Sequence, residues 1–186
     1  MSIPTPAEVG SLLNLADGQF VAFVALCAFG GLRLGEAAAL RVSDIDFIRR
    51  EIHVRRQVQR ANGGDVEIRL PKYGSERTIY ASRRLIETLS EHVRLHCYGG
   101  DPDRWLYSGI GGHPWQQGTV CYWWRGAHDK ASLTYRLHDL RHFYASGLIA
   151  AGCDVVTVQH APGHGTATVA LNTYSHLWPD GQRSHA

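Results

Sequence analysis

His138, Arg141 and Tyr174 place a proton carrier, a guanidinium and a hydroxyl nucleophile in one C-terminal stretch, with His164 between them as a hydrogen-bond donor. Far upstream, Arg33 adds a second guanidinium and Lys72 an ammonium group. Together these are the parts needed to break a phosphodiester. A guanidinium grips two non-bridging oxygens at once and keeps its charge across the pH range. An imidazole exchanges a proton near neutral pH, and a lysine can protonate a leaving oxygen. A tyrosine that attacks phosphorus forms an ester that preserves the bond energy, which suits a reaction that must rejoin what it cuts. Its handicap is acidity: with a pKa near 10, forming the phenolate at pH 7 costs about 4 kcal/mol. Tyr174 therefore needs cationic neighbours and a base, and Arg33, Arg141 and His138 are of those kinds.

Each residue also has a plainer use. Arg33 follows Gly30-Gly31 and precedes a helix start, where backbone N–H groups favour anions; it can equally pair with Glu36 or Asp44. His138 and Arg141 are three residues apart and share a helix face, which also fits a buried histidine beside a structural ion pair. Lys72 follows Pro71 and precedes the turn Tyr73-Gly74-Ser75, at a hairpin tip where lysine is ordinarily solvated. Neighbouring arginines would lower its pKa from about 10.4 and make it a better acid. Tyr174 lies in an apolar-periodic helix, where tyrosine commonly belongs to a core. A different chemistry reads the i, i+4 pairs His138/His142 and His160/His164 as zinc ligands. Against it, Pro162-Gly163 interrupts the second pair's helix, and neither pair carries the glutamate of H-E-x-x-H. No metal and no cofactor is expected.

The elements that must hold these residues follow from capping and periodicity. Thr5-Pro6-Ala7-Glu8 predicts a helix start with a capping box. A second helix is expected over Asp17 to Phe29, stopping at Gly30-Gly31, and a short third over Leu34 to Arg41, with Val42 to Asp46 as a loop. From Glu51 to Tyr80 apolar residues alternate with polar ones, and turns at Asn62-Gly63-Gly64 and Tyr73-Gly74-Ser75 divide the runs. This predicts a three-stranded antiparallel meander. Further helices are expected from Ser82 to about His96, Gln117 to Ala131, Leu137 to Ala151, beyond the cap Asp154, and Ala167 to Leu177. The fold class is α+β, mainly α: one helical domain with a small three-stranded antiparallel sheet.

The 186 residues suffice for one domain with a full core. No apolar run reaches the roughly 20 residues of a membrane span, and Met1-Ser2-Ile3-Pro4 lacks the regions of a signal peptide. A cytoplasmic location is expected. The four cysteines, Cys27, Cys97, Cys121 and Cys153, form no C-x-x-C pair and read as reduced thiols. A formal charge of +2 neither proposes nor excludes a nucleic-acid partner. Its distribution is more telling: ten basic residues, from Arg49 to Arg84, crowd the segment around the predicted strands.

In order, Arg33, Lys72, His138-x-x-Arg141, His164 and Tyr174 resemble the active site of the tyrosine recombinases, the phage-integrase family. The text around each agrees: Gly31-Leu32-Arg33-Leu34-Gly35-Glu36-Ala37, Pro71-Lys72 with Arg77-Thr78-Ile79, His138-Asp139-Leu140-Arg141-His142, Gly163-His164, and Leu171-Asn172-Thr173-Tyr174. The resemblance runs over about residues 5 to 179. It implies a catalytic domain in which Tyr174 forms a 3′-phosphotyrosyl bond with DNA and releases a 5′-hydroxyl. Arg33 and Arg141 would hold the phosphate, Lys72 would protonate the leaving oxygen, His138 would exchange protons and His164 would hydrogen-bond the phosphate. The implied partner is double-stranded DNA at attachment or crossover sites, with a tetramer on DNA in the full-length protein and action at the nucleoid. Members usually carry a preceding helical DNA-binding domain, which is expected to be absent here. Pro162 stands where the family usually has leucine, and only Ser175 to Ala186 follow the nucleophile. The alternatives are a type IB topoisomerase-like enzyme, which shares the covalent step, and an impaired remnant that binds DNA without cutting it.

Overall fold

The computed structural model of the chain describes residues 3–60 and 66–160. The first helix, α1 (Pro6–Leu15), starts as its sequence requires: the Thr5 hydroxyl accepts from the Glu8 amide, and the Glu8 carboxylate accepts from the Thr5 amide at 2.8 Å. Glu8 also accepts from the Tyr135 hydroxyl at 2.8 Å, fastening the chain ahead of His138 to the N-terminal helix. The next helix, α2 (Phe20–Gly30), is apolar on every side and therefore central. It packs against α1, the short α3 (Leu34–Ala38) and two later helices, α4 (Arg83–His96) and α6 (Asp139–Ala150). Its Phe20 and Phe23 cluster in the core with Tyr107 and Trp115, with ring centroids 5.1 to 6.5 Å apart.

Gly31 ends α2 in the left-handed region, at φ 63°. A Cβ there would lie 2.3 Å from the Tyr144 ring, so the position excludes a side chain twice over, by conformation and by space. α3 stops at Ala38, short of the expected Arg41. The segment expected as a loop is instead a 3₁₀ turn, Val42–Asp44, followed by a two-residue strand, β1 (Ile45–Asp46).

The sheet has three antiparallel strands, but they are not the expected meander. β1 and β5 (Arg77–Tyr80) flank β2 (Glu51–Val54), with Ile45 opposite Ile52 and Ile52 opposite Ile79. The middle of the segment forms a separate hairpin, β3 (Gln57–Arg60) with β4 (Val66–Arg69). The run breaks at Arg55-Arg56, where both side chains approach the buried carboxylate of Asp44. Arg56 donates to it at 2.5 Å and Arg55 lies 3.6 Å away. Asp44 also accepts from the Arg41 amide at 2.8 Å.

Ser82 caps α4 through the Leu85 amide. Beyond a 3₁₀ turn at Ile110–Gly112 come α5 (Gln117–Lys130), α6 and α7 (Val155–His160), the last capped by Asp154, which accepts from the Thr157 amide at 2.9 Å. α6 and α7 enclose a small second core of Ala145, Ile149 and Val158. Among the described residues, no helix is long and apolar enough to cross a membrane. The expected helix over 167–177 lies outside the described residues.

Candidate active site

Arg33 stands at the N-cap of α3, immediately after the Gly31 turn. Its backbone amide and guanidinium both donate to Glu36, at 2.9 and 2.7 Å. The anticipated pairing with Glu36 is therefore present, and it leaves Arg33 on a cleft wall with its side chain 19% exposed. Glu36 itself is 0% exposed. Arg77, on β5, grips the same carboxylate with two nitrogens, at 2.9 and 3.2 Å, and is only 9% exposed. Burial alone would raise the Glu36 pKa. The Arg77 hydrogen bond and charge, with Arg33, outweigh it and hold the acid below its ordinary range.

Lys72 occupies a single 3₁₀ turn, Lys72–Gly74. The expected hairpin tip is not where it lies, because β4 pairs with β3 and β5 pairs with β2. Lys72 instead sits in the link between the hairpin and the sheet. That link is fastened on both sides. Before it, the buried Gln57 side chain donates to the Leu70 carbonyl at 3.0 Å. After it, Ser75 closes the turn onto the Lys72 carbonyl through its hydroxyl at 2.8 Å, and Arg77 donates to the Ser75 carbonyl at 3.3 Å. The Lys72 side chain is exposed toward the cleft.

His138 is the N-cap residue of α6. Its pKa is lowered first by burial and then by the Arg141 charge, with smaller contributions from Arg33 and Arg136, against the opposing pull of Asp139. The ring meets His142 edge to face, with centroids 5.2 Å apart. Arg141 is 2% exposed and donates to the Gly31 carbonyl at 3.0 Å, so the glycine that ends α2 also fixes this guanidinium.

Arg33, Lys72 and His138 line one cleft of about 880 Å³. Its walls come from α3, the hairpin strand β3 and the start of α5, with Arg60, Gln116 and Gln117 among the other lining residues. Arg141 is not among the described lining residues, and its charge reaches the cleft through His138. His164 and Tyr174 lie outside the described residues. The pairing His160/His164 considered for zinc does so in part. Among the described residues, no three His, Cys, Asp or Glu side chains converge as a metal site.

Residue typing alone did not single out Arg77 or Gln57. Arg77 reads as one more surface cation, although its place in the Arg77-Thr78-Ile79 match was a signal. Gln57 carries no sequence signal, because a strand glutamine looks the same solvated or anchoring.

The chain is 31% identical over 153 residues to transposase A from transposon Tn554 of Staphylococcus aureus, covering 80% of this chain and 41% of that protein. It is 32% identical over 166 residues to the putative integrase/recombinase y4qK of Sinorhizobium fredii, covering 87% and 48%. The chain thus spans about half the length of such relatives. Its fold matches the Tn1549 transposon integrase solved in complex with a circular intermediate DNA, at a TM-score of 0.78 and 22% identity, over 96% of this chain and 61% of that one. Residues 5–180 match the phage integrase family, nearly the whole of the fold that builds the cleft. The chain belongs to that family.

Proposed function

We propose that this chain is the catalytic domain of a site-specific DNA recombinase that cuts and rejoins strands through a 3′-phosphotyrosyl intermediate. The observation that carries the reading is the convergence of Arg33, Lys72 and His138, from three distant segments, on one cleft. The guanidinium of Arg33 supplies preorganised charge for the phosphate oxygens as negative charge builds. Tyr174 attacks phosphorus, and its proton passes to the neutral His138 imidazole. As the bond from phosphorus to the 5′ oxygen breaks, the Lys72 ammonium protonates that oxygen. Attack by the 5′-hydroxyl of a partner strand reverses the step. The ester stores the bond energy, so the cycle consumes no nucleotide.

Exposed Arg60 and Lys72 at the cleft suit backbone contacts, which position a duplex without specifying its sequence. Double-stranded DNA is the proposed substrate, in the cytoplasm at the nucleoid, and the full-length protein would assemble as a tetramer on it.

The test is a nicked duplex bearing the crossover site, which traps the covalent step. The protein should yield a denaturant-resistant adduct, and Tyr174→Phe should abolish it while DNA binding persists. An adduct that survives this substitution removes Tyr174 as nucleophile. Binding to cognate DNA with no adduct would make the protein a non-cutting remnant.

A further inference from the structure

We propose that Arg77 is a positioning residue that ties the Lys72 turn to Arg33 through the buried carboxylate of Glu36. The inference rests on the reading of Lys72 as the acid for the leaving oxygen, and it assigns to Arg77 the task of aiming that acid.

The geometry forms a continuous chain of contacts. Each Glu36 oxygen accepts from both arginines: Oε1 takes Arg33 Nη1 at 2.7 Å and Arg77 Nη1 at 3.2 Å, and Oε2 takes the Arg33 amide and Arg77 Nη2, both at 2.9 Å. Arg77 Nη1 also donates to the Ser75 carbonyl at 3.3 Å, and Ser75 closes onto the Lys72 carbonyl through its hydroxyl and its amide. With Arg77 9% exposed and Glu36 0% exposed, water screens this ion pair little. A guanidinium can serve the carboxylate with a planar fork and still reach the carbonyl, which a lysine ammonium cannot do with the same geometry. The turn bearing Lys72 belongs to neither sheet, so these side-chain bonds, with Gln57 on the other flank, set its place relative to Arg33.

A role in aiming the acid has a signature that a merely structural role lacks. In the ordinary substrate the bond from phosphorus to the 5′ oxygen breaks and Lys72 supplies that oxygen's proton. When the bridging oxygen is replaced by sulfur, the leaving group is a thiolate. Thiols ionise near pH 8.5, about two units below lysine, so that group departs without a proton. The experiment compares single-turnover adduct formation on nicked duplexes carrying oxygen or sulfur at this position. The variants are Lys72→Ala, Arg77→Lys and Arg77→Gln, with Arg94→Gln, an exposed residue on α4, as a bystander. Arg77→Lys keeps a cation opposite Glu36, and its folding is checked by circular dichroism.

The proposal predicts that Arg77→Lys slows cleavage of the oxygen substrate by tenfold or more and is largely restored by sulfur, as Lys72→Ala is. Arg94→Gln should be unchanged on both. Equal slowing of Arg77→Lys on the two substrates would overturn the proposal and place Arg77 behind Arg33 alone. No slowing of either Arg77 variant would overturn it as well. If Lys72→Ala is not restored by sulfur, or the unaltered protein forms no adduct with either duplex, the reading of the site itself has failed and the proposal falls with it.

Discussion

His138 shows how the residue scale sets the working range of the cleft. Burial and then the Arg141 charge push its pKa below the ordinary 6.5, so the ring is neutral and able to accept a proton at pH 7. A base that must be neutral fails when it is protonated, and a lowered pKa moves that failure to lower pH. Single-turnover cleavage should therefore hold its rate down to about pH 6.5, the unperturbed histidine value, and decline only below it. His138→Asn should remove this acid limb while slowing the plateau by roughly 10²- to 10⁴-fold, the usual weight of a positioned acid–base group. An acid limb centred above pH 7, or one that persists in the asparagine variant, would count against His138 as proton acceptor. Arg33, Lys72 and His138 were legible in the sequence as candidates because ionisable groups in a fixed order carry chemistry on their face, and the three line one cleft. Their supports were not. Glu36 was visible only as one possible partner of Arg33, and its second partner lies 41 positions away.

At the scale of elements, the cleft depends on how closely α3 approaches β3. A Cβ added to Gly35 would lie 2.5 Å from the Val58 carbonyl, a backbone atom that cannot rotate away. Alanine is favoured over glycine inside a helix by about 1 kcal/mol, so an isolated helix would gain from the change. Here the overlap dominates, and Gly35→Ala should destabilise the protein by about 1–3 kcal/mol, the range for overpacking, as read from denaturant midpoints. It should also weaken DNA binding, because Arg33 and the β3 residues stand on the two elements being pushed apart. An unchanged or raised midpoint would mean that the hairpin yields freely and does not hold the cleft wall. The helices were largely legible: Thr5, Ser82 and Asp154 cap where the sequence says, and Gly31 ends α2. The sheet was legible in size and not in pairing. Alternation gives strands a face but no partner, and two residues of β1 are too few to show it. Asp44 meets Arg55 and Arg56, 11 and 12 positions away, where the run between β2 and β3 breaks, and alternation shows no such contact.

For the whole molecule, the charge pattern means less than its density suggested. Among the basic residues crowded between Arg49 and Arg84, Arg56 and Arg77 pair with the buried acids Asp44 and Glu36 and so help to organise the fold. Histidines with lowered pKa values shape the response of the whole fold to pH. His92, His138 and His142 all have pKa values lowered chiefly by burial. The unfolded chain, with histidines near 6.5, therefore takes up protons before the folded chain does. The stability they contribute is complete above about pH 6.5 and is lost as pH falls through that value toward the folded ones. Glu36 is also lowered, so the stability it contributes is lost only in more acid, as pH falls from the ordinary carboxylate value of about 4.3 toward its folded one. The melting temperature should accordingly be level from about pH 7 to 7.5 and fall between about pH 6.5 and 5, ahead of most carboxylate protonation. His92 gives the cleanest check because it lies outside the cleft, on α4, with Nε2 2.8 Å from the Leu106 carbonyl. His92→Gln keeps an amide able to donate to that carbonyl and removes the titration. The variant should melt lower than the parent at pH 7.5, for loss of packing against Tyr107, and should lose less on going to pH 5. A parent whose melting temperature rises or stays level from pH 7.5 to 5 would show that these histidines are not held neutral by the fold. Parallel pH curves for parent and His92→Gln would remove His92 from the account and leave the two α6 histidines to carry the acid sensitivity.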